Sequence, residues 1–120
     1  HNGKVAALIV VEGTGGDDTL LTELCMHITF AQPAAVSRDQ VPAEDVQREE
    51  ALAREQILAS GKPANLVDKI IGGKLDRWYS ERVLLEQPFV KDDKKTVGQV
   101  AGEHGLKVLR FHRISVGESV

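Results

Sequence analysis

Lys4-Val5-Ala6-Ala7-Leu8-Ile9-Val10-Val11 is an unbroken apolar run rich in branched residues, which predicts a strand buried on both faces. Gly13-Thr14-Gly15-Gly16 ends it. Asp17 or Asp18 then suits a helix N-cap, because a carboxylate there accepts from free backbone N–H groups. Leu20, Leu21, Leu24, Cys25 and Ile28 follow at helical spacing and predict one apolar face, with Pro33 marking the end of the helix. Ser37 to Pro42 reads as a connector, with Pro42 where a first helical turn tolerates proline.

From Ala43 to about Ser60 the pattern thins. Val46, Ala53 and Ile57, with Leu52 alongside, make a narrow stripe in a segment rich in Glu, Arg, Gln and Ala. Such a helix buries little surface and is expected to project into solvent against one neighbour. Gly61-Lys62-Pro63 predicts a stop and restart: glycine takes the left-handed position after a helix and proline opens the next one. Leu66, Val67, Ile70 and Ile71 form the facing stripe. Gly72-Gly73 is expected to loosen the chain before helix resumes over Lys74 to Arg82, with Leu75, Trp78, Tyr79 and Arg82 three and four apart. These segments predict an antiparallel helical hairpin with a short loop.

Beyond it, Glu86 to Val90 is expected to be extended, since the residue before Pro88 avoids the helical region. Lys91 to Lys95 reads as a solvated turn, and Thr96 to His104 as a short helix with Val97, Val100 and Ala101 inward, ended by Gly105. Leu106 to Val116 alternates as a strand. The fold class is α+β: a small antiparallel sheet packed with helices, and an inserted antiparallel helical hairpin. The core subdomain comprises 1–42 and 87–120, and the hairpin 43–86.

Composition narrows the function classes. The 120 residues suffice for one modest core, and 42% apolar with 28% charged residues is ordinary globular composition. A net charge of -3 argues against a general nucleic-acid binder, so no direct nucleic-acid partner is expected. Cys25 is the single cysteine, which forbids an internal disulfide and fits a reducing, cytoplasmic setting. No apolar run is long enough for a membrane span. The chain starts at His1-Asn2-Gly3 without an initiator methionine or leader, and is expected to be a piece of something longer.

Candidate chemistry is sparse. The glycine loop lies between a strand and a helix, where phosphate loops occur, but Asp18 stands where a dinucleotide fingerprint needs glycine and no Gly-Lys-Ser/Thr follows. It reads as a tight turn. His1, His27, His104 and His112 show no metal-ligand spacing, so neither metal nor cofactor is expected. Cys25 falls on the apolar face and reads as core, and His27 as the edge of that face. Trp78 and Tyr79, beside Lys74, Arg77 and Arg82, read as a cap on the hairpin base. Arg110, His112 and Arg113 read as the exposed face of a half-buried strand. With no acid/base or nucleophile set, the residues point to a non-catalytic interaction module.

Several segments resemble the bacterial-type elongation factor Ts family. They are Cys25-Met26-His27-Ile28-Thr29 with Gln32-Pro33, the connector Val36-Ser37-Arg38-Asp39-Gln40-Val41-Pro42-Ala43-Glu44, and the hairpin segments Ser60-Gly61-Lys62-Pro63 and Ile71-Gly72-Gly73-Lys74-Leu75. Leu84 to Asp92, Lys95-Thr96-Val97-Gly98 and Arg110 to Glu118 follow in order at consistent spacing. The resemblance implies the C-terminal core half of such a factor with its inserted coiled-coil hairpin. It implies binding to elongation factor Tu and promotion of GDP release during translation elongation, without covalent catalysis.

The family's Thr-Asp-Phe-Val segment is absent from this sequence, so the expected task is docking. By resemblance, His1, Met26 and His27 are the partner-binding candidates. Leu66, Ile70, Trp78 and Tyr79 are the hairpin candidates for oligomer or auxiliary contact. The alternative is a self-association module, a homodimer through the hairpin, without exchange activity of its own.

Overall fold

The structure, a computed structural model, describes residues 4–116. His1 and the segment Gly117-Glu118 lie outside the described residues. Strand β1 (Lys4–Glu12) leads to helix α1 (Asp18–Ala31). A 3₁₀ turn (Arg38–Gln40) precedes the hairpin helices α2 (Ala43–Ala59) and α3 (Ala64–Arg82). A second 3₁₀ turn (Leu84–Glu86), strands β2 (Pro88–Phe89) and β3 (Asp92–Thr96), helix α4 (Val97–Glu103) and strand β4 (Lys107–Val116) complete the chain. This is the α+β layout that the periodicity predicts.

β1 and β4 pair antiparallel, from Lys4 opposite Val116 to Glu12 opposite Lys107, with a register shift between Val10 and Val11. β2 and β3 form a second small antiparallel pair. Two expectations need correction here. β1 is not buried on both faces: Ala7, Ile9 and Val11 pack on the core, whereas Leu8 is 57% exposed. A two-stranded sheet with helices on one side leaves its other side open. The charged run at Lys91 to Lys95 is not simply a turn, because Asp92 to Thr96 is strand β3, turned around Val90 and Lys91.

The core of the body joins Leu20, Leu24 and Ile28 of α1 to Val97, Val100 and Ala101 of α4, with Leu84, Phe89, Leu106 and Val108. Helix ends follow local chemistry. Asp17 caps α1, its Oδ1 accepting from the Leu20 amide at 2.8 Å. Thr96 and Gln99 cap α4 reciprocally, with the Gln99 amide donating to Thr96 Oγ1 at 3.1 Å and the Thr96 amide to Gln99 Oε1 at 2.8 Å.

The hairpin has its own small core, Ala53 and Ile57 of α2 against Val67 and Ile71 of α3. Gly61 turns the loop at φ +76°. Contrary to expectation, Gly72-Gly73 does not interrupt α3, which runs unbroken from Ala64 to Arg82. Both glycines face open space, and the burial of Val67 and Ile71 across the helix pair offsets their poor helix propensity. Projection of the hairpin makes the molecule long: its radius of gyration is 17.2 Å, against about 14 Å for a compact chain of this length.

Candidate functional site

α1 carries two stripes. Leu20, Leu24, His27 and Ile28 are buried against the body. Thr22, Met26 and Phe30, each one helical turn apart, face the other way, with Met26 40% and Phe30 75% exposed. Together with Cys25 and Thr29 they flank Ala7 of β1 around a shallow depression. A second depression continues along Ala7, Leu8, Ile9 and Val11 beside Leu21, Thr22 and Cys25. An apolar strip therefore runs between β1 and α1. Of the residues along this strip, sequence reasoning names Met26 as a contact candidate and does not name Phe30 or Leu8. The i,i+4,i+8 spacing of Thr22, Met26 and Phe30 is the signal that α1 has a second face.

His27 is not at an edge. It is 1% exposed, and it ties three parts of the fold together. The Val90 amide donates to its Nδ1 at 3.1 Å, so the ring proton sits on Nε2, which donates to Gln87 Oε1 at 2.9 Å. Gln87 Nε2 donates in turn to the Glu81 carbonyl at 2.9 Å, in the last turn of α3. Burial lowers the His27 pKa, and the bond to Gln87 opposes this in part. His27 thus offers no surface for a partner to touch, and its contribution to Met26's face is to hold α1 in place. Burial raises the Cys25 thiol above its ordinary value, which leaves it protonated and a poor nucleophile.

The hairpin candidates do not form one patch. Leu66 is exposed near the loop. Ile70 is half-buried against the hairpin core. Trp78 and Tyr79 pack with Val46 on Ala35, Val41 and Val83 at the neck, where the hairpin leaves the body. They meet edge to face with ring centroids 5.3 Å apart. Arg82 lies 4.7 Å from the Trp78 ring centre, and Arg38 4.4 Å from that of Tyr79.

The glycine loop is pressed against the turn between α4 and β4. A Cβ on Gly13 would meet the Gly105 carbonyl, one on Gly15 the His104 carbonyl, and one on Gly16 Leu106 Cδ1 at 2.8 Å. Backbone and leucine thus fill the space that a phosphate loop leaves open. On the last strand, Arg110 and His112 are exposed, while Arg113 Nε donates to the Thr29 carbonyl at 3.3 Å. Among the described residues, no three His, Cys, Asp or Glu side chains gather as a metal site.

Comparison with known proteins gives a family match that runs across the body and the hairpin. The family profile described as "Elongation factor TS" matches residues 1–118, body and hairpin alike. The chain belongs to the elongation factor Ts family. It is 39% identical to elongation factor Ts of Alkalilimnicola ehrlichii over 118 residues, which covers 98% of this chain and 40% of the relative. It is 40% identical to that of Alcanivorax borkumensis over 120 residues, or 100% of this chain and 41% of the relative. To that of Halothermothrix orenii the identity is 36% over 120 residues, with 98% and 40% covered. The chain thus spans about 40% of the length of the curated relatives it matches. No helix among the described residues is long and apolar enough to cross a membrane.

Proposed function

We propose that this chain docks onto elongation factor Tu in the cytoplasm, as the gripping part of a factor that promotes GDP release during translation elongation. The observation that carries this reading is the family match along the entire body and hairpin, residues 1–118. The activity is binding work and not covalent catalysis. A factor that holds the nucleotide-free partner more tightly than the GDP-bound one weakens GDP affinity by that same ratio. The sequence contains no Thr-Asp-Phe-Val segment, so affinity and orientation are the share we assign to it.

Met26 is the partner contact on α1, extended by its exposed neighbour Phe30, with His1 as a further contact by resemblance and His27 acting from beneath. The test is GDP release from elongation factor Tu, measured with this chain and with a complete elongation factor Ts. Binding with little acceleration is the expected result, and Met26→Glu should weaken that binding. Acceleration equal to that of the complete factor would overturn the division of labour.

The exposure of Leu52, Leu58 and Leu66 along the hairpin favours a second reading, a homodimer formed through the hairpin. Light scattering of the isolated chain separates the two. A dimer that dissociates when Leu58 and Leu66 are changed to Glu supports self-association, and a monomer at high concentration refutes it.

A further inference from the structure

Two chain segments cross the neck of the hairpin, one inbound before α2 and one outbound after α3. Their backbones are laced from Arg82 toward the body: the Ala34 amide donates to the Arg82 carbonyl at 2.8 Å, the Leu84 amide to the Ala35 carbonyl at 2.8 Å and the Leu85 amide to the Val36 carbonyl at 3.2 Å. None of these bonds reaches α3 above Arg82, so they fix where the hairpin is attached but leave its direction to other contacts. Val83, extended between α3 and the following 3₁₀ turn, is the joint about which it could swing.

Gln87 crosses the joint near the lacing, reaching the Glu81 carbonyl, and Trp78 and Tyr79 pack on Val41 and Val83; one charged side chain spans it further up the helix. From the inbound connector, Arg38 sends Nε and an Nη to the two carboxylate oxygens of Glu86, both at 2.7 Å, on the body side. Its other Nη donates to Asp76 Oδ1 at 3.2 Å, on the hairpin side. The same guanidinium lies over Tyr79, three residues along α3 from Asp76. Asp76 is six residues before Arg82, about 9 Å up the helix from the backbone lacing. A second fixed point at that height converts an attachment into a direction.

We propose that Arg38 is the positioning residue that sets the angle of the hairpin on the body, acting as a strut between Glu86 and the Asp76–Tyr79 face of α3. Arginine is required for this because it supplies a planar fork for Glu86, a spare N–H for Asp76 and a flat face for Tyr79 together, which a lysine ammonium cannot. Arg38 and Asp76 are exposed, with side-chain accessibilities of 44% and 71%, so the strut works in water and weakens with salt.

Spin labels test this directly, with Lys62→Cys in the loop and Lys94→Cys on the body in a Cys25→Ser background. The readout is a distance within the chain, independent of any partner. Arg38→Ala and Arg38→Lys should both broaden the distance distribution and shift its mean, while the amide spectrum of the body stays unchanged. The unmutated strut should broaden likewise at about 1 M salt, where screening acts within about 3 Å. Should Arg38→Ala fail to fold, Asp76→Ala cuts the hairpin-side contact alone and is read the same way. A distribution that stays narrow and centred in the variants that fold and at high salt overturns the proposal. So does broadening in Arg38→Ala that Arg38→Lys fully restores, since charge alone would then suffice.

Discussion

Neutral imidazole is the form of His27 that satisfies its surroundings, with Nδ1 accepting from Val90 and Nε2–H donating to Gln87. A second ring proton would turn Nδ1 into a donor facing the Val90 N–H. The folded pKa therefore lies below the ordinary value of 6.5, chiefly through burial. The unfolded chain binds the proton that the folded chain refuses. His27 thus contributes fully above about pH 6.5, and its contribution falls as the pH drops from there toward the folded value. Urea midpoints measured from pH 8 to 5 should show this acid-side loss. His27→Ala should flatten it while costing about 3 kcal/mol at pH 8, through a cavity and two abandoned partners. Gly15 belongs to the same scale. Its Cβ position falls on the His104 carbonyl, so Gly15→Ala should cost about 1–3 kcal/mol in thermal unfolding as the loop is forced off the turn.

Among the elements, α3 has the most room for improvement. Gly72 and Gly73 sit in continuous helix with nothing within 4 Å of an added Cβ. Alanine at either site should stabilise the hairpin by about 0.5–1 kcal/mol, read as increased melting temperature. Reading Gly72-Gly73 as a break goes wrong because glycine lowers local propensity, whereas the stripe of Val67 and Ile71 against Ala53 and Ile57 decides the helix. The strong local signals hold elsewhere: the Asp17 cap and the left-handed Gly61 are chemistry within a few residues. What depends on distant neighbours does not show in a single sequence. An apolar run such as Val5 to Val11 has one period whether one or two faces are covered. The burial of His27 needs Gln87, 60 residues away. The Met26 face is half visible, since the spacing of Thr22, Met26 and Phe30 marks a second stripe without saying what covers it.

At the scale of the whole molecule the described residues form three clusters: the core of the body, which contains no residue from α2 or α3, the core of the hairpin, and a small cluster at the neck that joins Val46, Trp78 and Tyr79 to Ala35, Val41 and Val83. Amide hydrogen exchange should reflect this division. Protection should be lowest around Ala59 to Leu66, intermediate beside Ile57 and Ile71, and highest in α1 and α4. Uniform protection along the chain would contradict it. The parallel bridge of Ala35 with Val83 brings the two ends of the insertion side by side at the neck. The body therefore registers only that the insertion closes there, and is indifferent to how far away the chain turns back. Seven extra residues in each helix, keeping the facing stripes in phase, would carry the loop about 10 Å further out and leave every contact below the neck in place. Reach is thus a dimension this architecture can change without redesigning its base.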